Sequence, residues 1–435
     1  MNSIKFLKKK TKEKNIYLDN LFKKLFPLNR SLTGKGNEKT FEIIKSINNK
    51  FKKKYFKSFN KVFDWKIPDQ WEVKDAYIKL PNGKKICEFK KNNLYLPSYS
   101  IKVDKLLSLK NLKKKLFSIK NKPKAIPYVT LYYKKDWGFC ISYEKLKKLK
   151  NDGLYHAYID TKHFKGKMGY LEYLIPGKSK KEILITSYSC HPSMANNELS
   201  GLITTILFSK IVNKGYYSIR FLIIPETIGA IAYINKNIKN LTKNLLAGFN
   251  LTCIGDKKKL SYIQTREGNT YADKIIKRVF KNLNINGKKY DFIYRGSNER
   301  QFGCQNLNLP FVTLTRSKFG TYNEYHTSLD NLDIISNKSI LENIELLSNI
   351  ITEIEKNKIF EKKTTCEPFF TKYNLYETTG FYYKKNNYFK DIINFVAYCD
   401  RNYDTKELQT KLNISSKRMN MIISTLKKNK IIQQL

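Results

Sequence analysis

Histidine is scarce in this chain: four residues in 435, so a metal site has very few imidazoles to draw on. Cysteine is little richer, with seven residues at 87, 140, 190, 253, 304, 366 and 399 and no CxxC pair among them. That scatter excludes a zinc knuckle and a disulfide framework, and points to reduced thiols in a cytoplasmic setting. No run of eighteen apolar residues occurs, which excludes a membrane-spanning helix. The start, MNSIKFLKKKTKEK, has charge but no apolar stretch and does not read as a secretory signal. Acidic residues are few as well, 37 against 83 Lys and Arg, a formal charge of +46. The lysines are spread along the whole chain together with Asn, Ile, Tyr and Phe, as in an A/T-rich coding sequence. Charge alone therefore does not specify a nucleic-acid partner.

What is present is ample burial capacity, 41% hydrophobic and 14% aromatic, in a chain long enough for two or three domains. Residues 15–60 read as helical, with a turn at SLTGKGN and Asn37 as a candidate cap of the second helix. From 63 to 153 short aromatic and β-branched runs (DAYIKL, LYLPSYSI, IPYVTLYY, GFCIS) alternate with turns, predicting a small β-rich module interrupted by a helix at VDKLLSLKNLKKKLFSI. From 154 to 359 strands and helices alternate: EILITSYS, ELSGLITTILFSKIVNK, YSIRFLIIPE, IGAIAYINKNI, LLAGFNLTCIG, YADKIIKRVFKNL, LPFVTLTRS, then a long closing helix. This alternation predicts an α/β fold, a mostly parallel sheet flanked by helices.

Residues 360–387 read as a linker. Residues 388–435 read as three helices and a terminal strand, with Ser415 as an N-cap, a winged-helix-like order. That segment holds nine Lys/Arg against four Asp/Glu, the same charge density as the rest. A protein partner and DNA are both open for it.

In open α/β sheets, ligands gather beyond the carboxyl ends of strands. His191 follows EILITSYS with Cys190 between, Glu226 follows FLIIP, Asn298 and Glu299 follow DFIYRGS, and His326 falls beyond LPFVTLTR. Four separate segments thus bring polar groups to one predicted edge. Imidazoles and a carboxylate in such a place suit metal-assisted hydrolysis, in which Glu226 would take a proton from water. Cys190 as a nucleophile is disfavoured, because neighbours in a strand point to opposite faces.

The stretches LFPLNRSLTGKG, VFDWKIPDQW, AIPYVTLYYKKDWGFCIS, CHPSMANNELSG, FLIIPETIGAIAY, RGSNERQF and EYHTSLDNLD resemble a group of bacterial proteins with an aminopeptidase-like domain and a C-terminal winged helix. That group is distantly similar to the co-catalytic zinc aminopeptidases. The resemblance covers most of 20–435. It implies an aminopeptidase-like (phosphorylase/hydrolase-like) core with residues 1–62 as its helical start, 63–153 inserted and 388–435 appended. It also implies metal positions at His191, Asn197, Asn298 and His326, with Glu226 as general base and Thr227 beside it.

In the aminopeptidase pattern acids occupy the places of Asn197, Thr227 and Asn298. Without them two dications in one site would repel strongly, so the expectation is one zinc ion at most. Glu198 and Glu299, each one residue on, are candidates for a remaining carboxylate. Asp330 could orient His326 or cap a turn, and Arg300 and Gln301 could bind a substrate. Three readings follow: a metal-dependent hydrolase of an amide or peptide bond, an inactive binding or scaffold protein on the same fold, and a DNA-binding regulator. Homo-oligomers are compatible with each.

Overall fold

A computed structural model describes residues 10–376 and 388–435. The expected linker therefore lies partly outside the described residues. The centre is an eight-stranded sheet. Its strands in chain order are β1 (Lys52–Lys57), β2 (Lys167–Ile175), β3 (Glu182–Tyr188), β4 (Ser218–Ile224), β5 (Leu245–Leu251), β6 (Ser261–Ile263), β7 (Lys289–Tyr290) and β8 (Phe311–Thr315). They lie in the order β1-β2-β4-β3-β5-β8-β6-β7. β4, β3, β5 and β8 run parallel, while β1 and β2, and β6 against β8, pair antiparallel. The sheet is thus mixed and mostly parallel at its heart.

Every residue of β3 is buried, which is why EILITSY carries no polar alternation. Ile183 and Ile185 face one helical layer, formed by α1 (Thr11–Leu25), α2 (Lys35–Ile47), α3 (Ser200–Ile211), α5 (Tyr271–Asn282) and α6 (Asn337–Lys356). Leu184 faces the other, with Ala230, Tyr233 and Ile234 of α4 (Ile228–Asn244). α3 is buried from Ser200 to Ser209, matching a sequence apolar on every side. A Cβ on Gly201 would stand 2.2 Å from the Leu251 carbonyl oxygen, so glycine there sets how closely α3 approaches β5.

A second sheet of four antiparallel strands, Lys85–Ile86, Gln70–Lys79, Tyr155–Phe164 and Val103–Leu107, forms the β-rich module. Its core, including Trp71, Ala76, Ala157 and Ile159, is continuous with Tyr188, Cys190 and Ile228 of the main domain. The module therefore sits over the carboxyl ends of β3 and β4.

Three local expectations differ from this. Tyr155–Phe164, expected to open the α/β part, pairs with Gln70–Lys79, so the main sheet resumes only at β2. Val103–Leu107, expected as helix, is a strand against Tyr155–Phe164, and helix covers only Leu109–Lys113. Lys52–Lys57 is the edge strand β1 rather than more helix. In the last two cases cross-strand pairing overrides a lysine-rich helical propensity. Asn37 does not cap α2 either; it lies inside it, buried, and its amide holds the Ser31 backbone and the Ser189 carbonyl.

The last described segment has helices α7 (Tyr388–Ala397), α8 (Thr405–Leu412) and α9 (Ser416–Lys428). Ser415 Oγ accepts from the Arg418 N–H at the start of α9, as an N-cap should. Strand β10 (Ile432–Gln434) pairs antiparallel with β9 (Phe360–Lys362). Asp404 caps α8 and pairs with Arg278 of α5, which ties this unit to the main domain. Among the described residues no helix is long and apolar enough to cross a membrane.

Candidate functional site

Chain order creates the crevice. From β3 the chain moves to β4 on one side, then returns past β3 to β5 on the other, so connections diverge beyond the carboxyl end of β3. Cys190 and His191 leave β3 at this point, and Ser193 turns the chain with a positive φ of 46°. A π-helical turn, Ala195–Leu199, then presents Asn197 and Glu198 before α3 begins.

The His191 imidazole is buried. Its Nε2 lies 3.9 Å from Glu226 Oε2, and its Nδ1 lies 3.3 Å from Cys190 Sγ. Burial opposes a charged ring here, but the Cys190 sulfur and the carboxylates of Glu198 and Glu226 outweigh it and hold the pKa well above the ordinary value. Glu226 follows β4. Burial raises its carboxyl pKa, against the opposing pull of His191, a hydrogen bond from Ser297 Oγ and the charge of Arg300. A carboxylate of raised basicity beside an imidazole is suited to accept a proton.

Thr227 is backbone-strained, with φ 62° and ψ −84°, in a region a β-branched residue rarely occupies. Asn298 holds it there: Thr227 N–H donates to Asn298 Oδ1 at 3.1 Å. The Arg300 guanidinium donates to Thr227 Oγ1. Where the zinc aminopeptidase pattern has a second acid, this chain thus presents a hydroxyl held by a cation. Gln301 stands next along the chain but does not line the cavity described below.

His326 also has a positive φ, 53°, and its ring stacks on Tyr325 at 3.9 Å between centroids. The His191 and His326 rings are 5.3 Å apart, with Tyr128 about equally close to both. Burial, then the charge of His191, lowers the His326 pKa to about 3, so this ring is neutral with a free lone pair.

The two glutamates and Asp330 face elsewhere. Both Glu198 oxygens are engaged: Oε1 by Arg30, Oε2 by the backbone N–H groups of Cys190 and His191. Glu299 accepts from Gly296 N–H at 2.7 Å, Ser297 N–H at 3.0 Å and Thr313 Oγ1 at 2.7 Å. It fixes the loop that carries Ser297 and Asn298. Asp330 does not hold His326; it accepts from the Asn196 and Asn197 N–H groups and from Tyr322 OH, at 2.6, 3.0 and 2.7 Å. It therefore steadies the turn bearing Asn197.

Whether a metal suits these residues is decided by their lone pairs. Among the described residues, His326 Nε2, Asn197 Oδ1 and Asn298 Nδ2 are buried without a partner. The first two are acceptors and suit a cation. The unpartnered atom of Asn298 is its amide nitrogen, a donor, and its oxygen already accepts from Thr227 N–H; it is placed to brace that residue. Cys190, His191 and Glu198 also bring ligand atoms within 4.8 Å of one another. However, Glu198 is already neutralised by Arg30, and burial raises the Cys190 thiol, whose sulfur accepts from Glu226 N–H. The donor set that fits one ion best is His326 and the Asn197 oxygen, joined by His191 once its ring gives up a proton to the ion, with Glu226 alongside.

A cavity of about 380 Å³ opens onto His191, His326 and Glu226. His191, Glu226, Thr227, Arg300 and His326 line one side; Trp65, Tyr128, Tyr132 and Tyr133 of the β-rich module line the other. Sequence reasoning did not single out the aromatic wall, Ser297 or Arg30. Only the run IPYVTLYY hinted at the wall, and nothing local marks Arg30.

The family model for a Domain of unknown function (DUF4910) matches residues 19–357. A Clostridium acetobutylicum protein, "Putative polysaccharide biosynthesis protein with aminopeptidase-like domain", is 39% identical over 364 residues, 83% of each chain. The crystal structure of a "putative peptidase" from Clostridium acetobutylicum superposes with a TM-score of 0.77 at 33% identity, covering 98% of this chain and 100% of the other. BSAP, a zinc aminopeptidase from Bacillus subtilis, shares the fold with a TM-score of 0.55 at 15% identity, over 76% of this chain and 93% of its own.

Proposed function

The chain belongs to the DUF4910 family, with an aminopeptidase-like domain, and from this premise we propose that it is a metal-dependent hydrolase of an amide or peptide bond that uses one ion. The observation that carries the reading is Glu226: a part-buried carboxylate of raised pKa, in a cavity shared with His191 and the unpartnered Nε2 of His326. His191, His326 and Asn197 would hold the ion. When bound, it would supply Lewis acidity to polarise a carbonyl and acidify water.

The chain's own part is positional and basic. Glu226 takes the proton of the attacking water and returns it to the leaving nitrogen, while Ser297 Oγ keeps the carboxylate aimed. Asp330 fixes the Asn197 turn, and the aromatic wall limits water around the reacting bond.

One ion is favoured over two because Asn197, Thr227 and Asn298 are neutral, leaving Glu226 as the only acid among the described residues of the cavity lining. Metal analysis after zinc reconstitution should give about one equivalent per chain, falling below one half in a His326→Gln variant. Two equivalents, or less than a tenth, would overturn the metal assignment.

The same neutral residues favour a second reading, a binding protein that has lost its chemistry. Hydrolysis of a panel of peptide and N-acyl amides, absent from every member, would decide for it.

We read α7, α8, α9 and the β9–β10 pair as a winged helix that docks a partner protein. Its charge density, no higher than the chain average, favours protein over DNA. Duplex-DNA affinity is expected to be weak, micromolar or poorer at physiological salt and similar for unrelated sequences. Nanomolar binding to one sequence would reverse that choice.

A further inference from the structure

The cavity is arranged for a different kind of ligand than a peptide with a free amino terminus. Of the described residues that line it, Glu226 is the only acid and Arg300 the only Lys or Arg. Glu226 already faces His191 Nε2 at 3.9 Å and accepts from Ser297. No second carboxylate remains to receive an α-ammonium group, and Arg300, exposed and anchored on Thr227, would repel one.

The opposite wall is a rigid aromatic surface. Trp65 and Tyr133 meet edge to face with centroids 5.8 Å apart, and Tyr133 OH donates to the Lys66 carbonyl at 2.8 Å. Tyr133 holds a positive φ of 62°, a strained conformation for an aromatic residue. Both rings are nevertheless substantially exposed, 41% and 53%, at the mouth of the cavity. Large aromatic rings fixed in place yet open to solvent beside a cavity are characteristic of ligand platforms.

We propose that this site takes an N-acylated acid: a ligand whose amine is blocked as an amide, whose carboxylate pairs with Arg300, and whose ring lies against Trp65 and Tyr133. The proposal rests on the amide-hydrolase reading for the identity of the bond, but its binding chemistry stands apart from turnover. An N-acyl aromatic amino acid and an N-acyl acidic sugar share that chemistry, since a pyranose face stacks on aromatic rings as an aryl ring does.

Tryptophan fluorescence offers a direct test. Of the three tryptophans, Trp71 and Trp137 are buried, so quenching by a cavity ligand reports Trp65. N-acetylphenylalanine and N-acetylmuramic acid are the probes, against N-acetylphenylalaninamide (no acid) and phenylalaninamide (free amine, no acid). At least one acid should quench, and the tighter of the two names the source of the ligand. Arg300→Met should weaken that acid about tenfold or more, the loss expected of a charge-assisted pair. Lys135→Met, an exposed charge outside the cavity, should leave it within twofold. Trp65→Phe should remove the signal, with calorimetry then reporting affinity.

Phenylalaninamide binding as tightly as the acids, neither acid binding, or Arg300→Met binding like the parent would each overturn the proposal. Turnover of a free-amine peptide, with neither N-acyl acid bound, sinks this proposal and leaves the hydrolase reading intact. Acid binding lost in Arg300→Met, with no amide hydrolysed, does the reverse.

Discussion

Arg30→Met should cost about 3–5 kcal/mol of folding stability, the loss expected when one partner of a buried ion pair is removed and its fellow stays charged in the interior. Arg30 is fully buried, and so is the side chain of Glu198 with which it pairs. The guanidinium also donates to the Leu25 carbonyl at the end of α1. Glu198 uses its other oxygen on the backbone N–H groups of Cys190 and His191. One carboxylate thus joins the N-terminal helical layer to the turn that sets His191.

Urea unfolding followed by a probe of the main domain should show this as a lower midpoint at unchanged slope. Arg30→Met combined with Glu198→Gln should recover part of the loss, because no lone charge is then buried. Glu198→Gln alone should fall between the parent and Arg30→Met, since its amide oxygen still accepts one backbone N–H. A single Arg30→Met variant within 1 kcal/mol of the parent would remove the pair from any account of how the site is held.

This pair also shows where sequence reasoning stops. Three of the four polar segments were legible because β3, β4 and β8 are short apolar runs with polar residues beyond them, and parallel sheets put such ends on one edge, whereas DFIYRGS, the fourth, is a 3-10 turn at Phe292–Tyr294 and not a strand end. The mostly parallel core follows from the same runs, while its aminopeptidase-like character was implied by the resemblance alone. Arg30 and Glu198 are 168 residues apart, and no local pattern joins them. Glu198 looked like a displaced metal ligand because it follows Asn197 by one residue. The π-helical turn instead aims Asn197 toward Tyr188 and Cys253, and Glu198 toward Arg30.

The aromatic wall was hidden for a related reason. Tyr128, Tyr132 and Tyr133 read as ordinary strand residues in IPYVTLYY, yet they lie outside the strands of the four-stranded sheet, in a loop packed across the cavity. Tyr155–Phe164 was given to the wrong sheet because alternating burial looks alike whichever partner a strand finds.

Glu226→Gln is the variant that separates an enzyme from a binding protein on this fold. The amide is nearly isosteric and can still accept from Ser297 Oγ, so the fold and the cavity should survive. It cannot take a proton at neutral pH. Loss of a general base typically lowers the rate 10²- to 10⁴-fold, and that loss should fall on kcat, with KM for the best amide changed little. The parent's pH profile adds an independent mark. Because burial raises the carboxyl pKa of Glu226, its base form is lost at a higher pH than for an ordinary glutamate as the solution is acidified. The acid limb of kcat should therefore lie above that of an ordinary glutamate, and Arg300→Met should move it further up by removing a charge that favours the ionised form. A scaffold has no such limb to move. If Glu226→Gln retained full turnover, the proton would have to go elsewhere, and among the described residues of the cavity there is no other carboxylate to receive it.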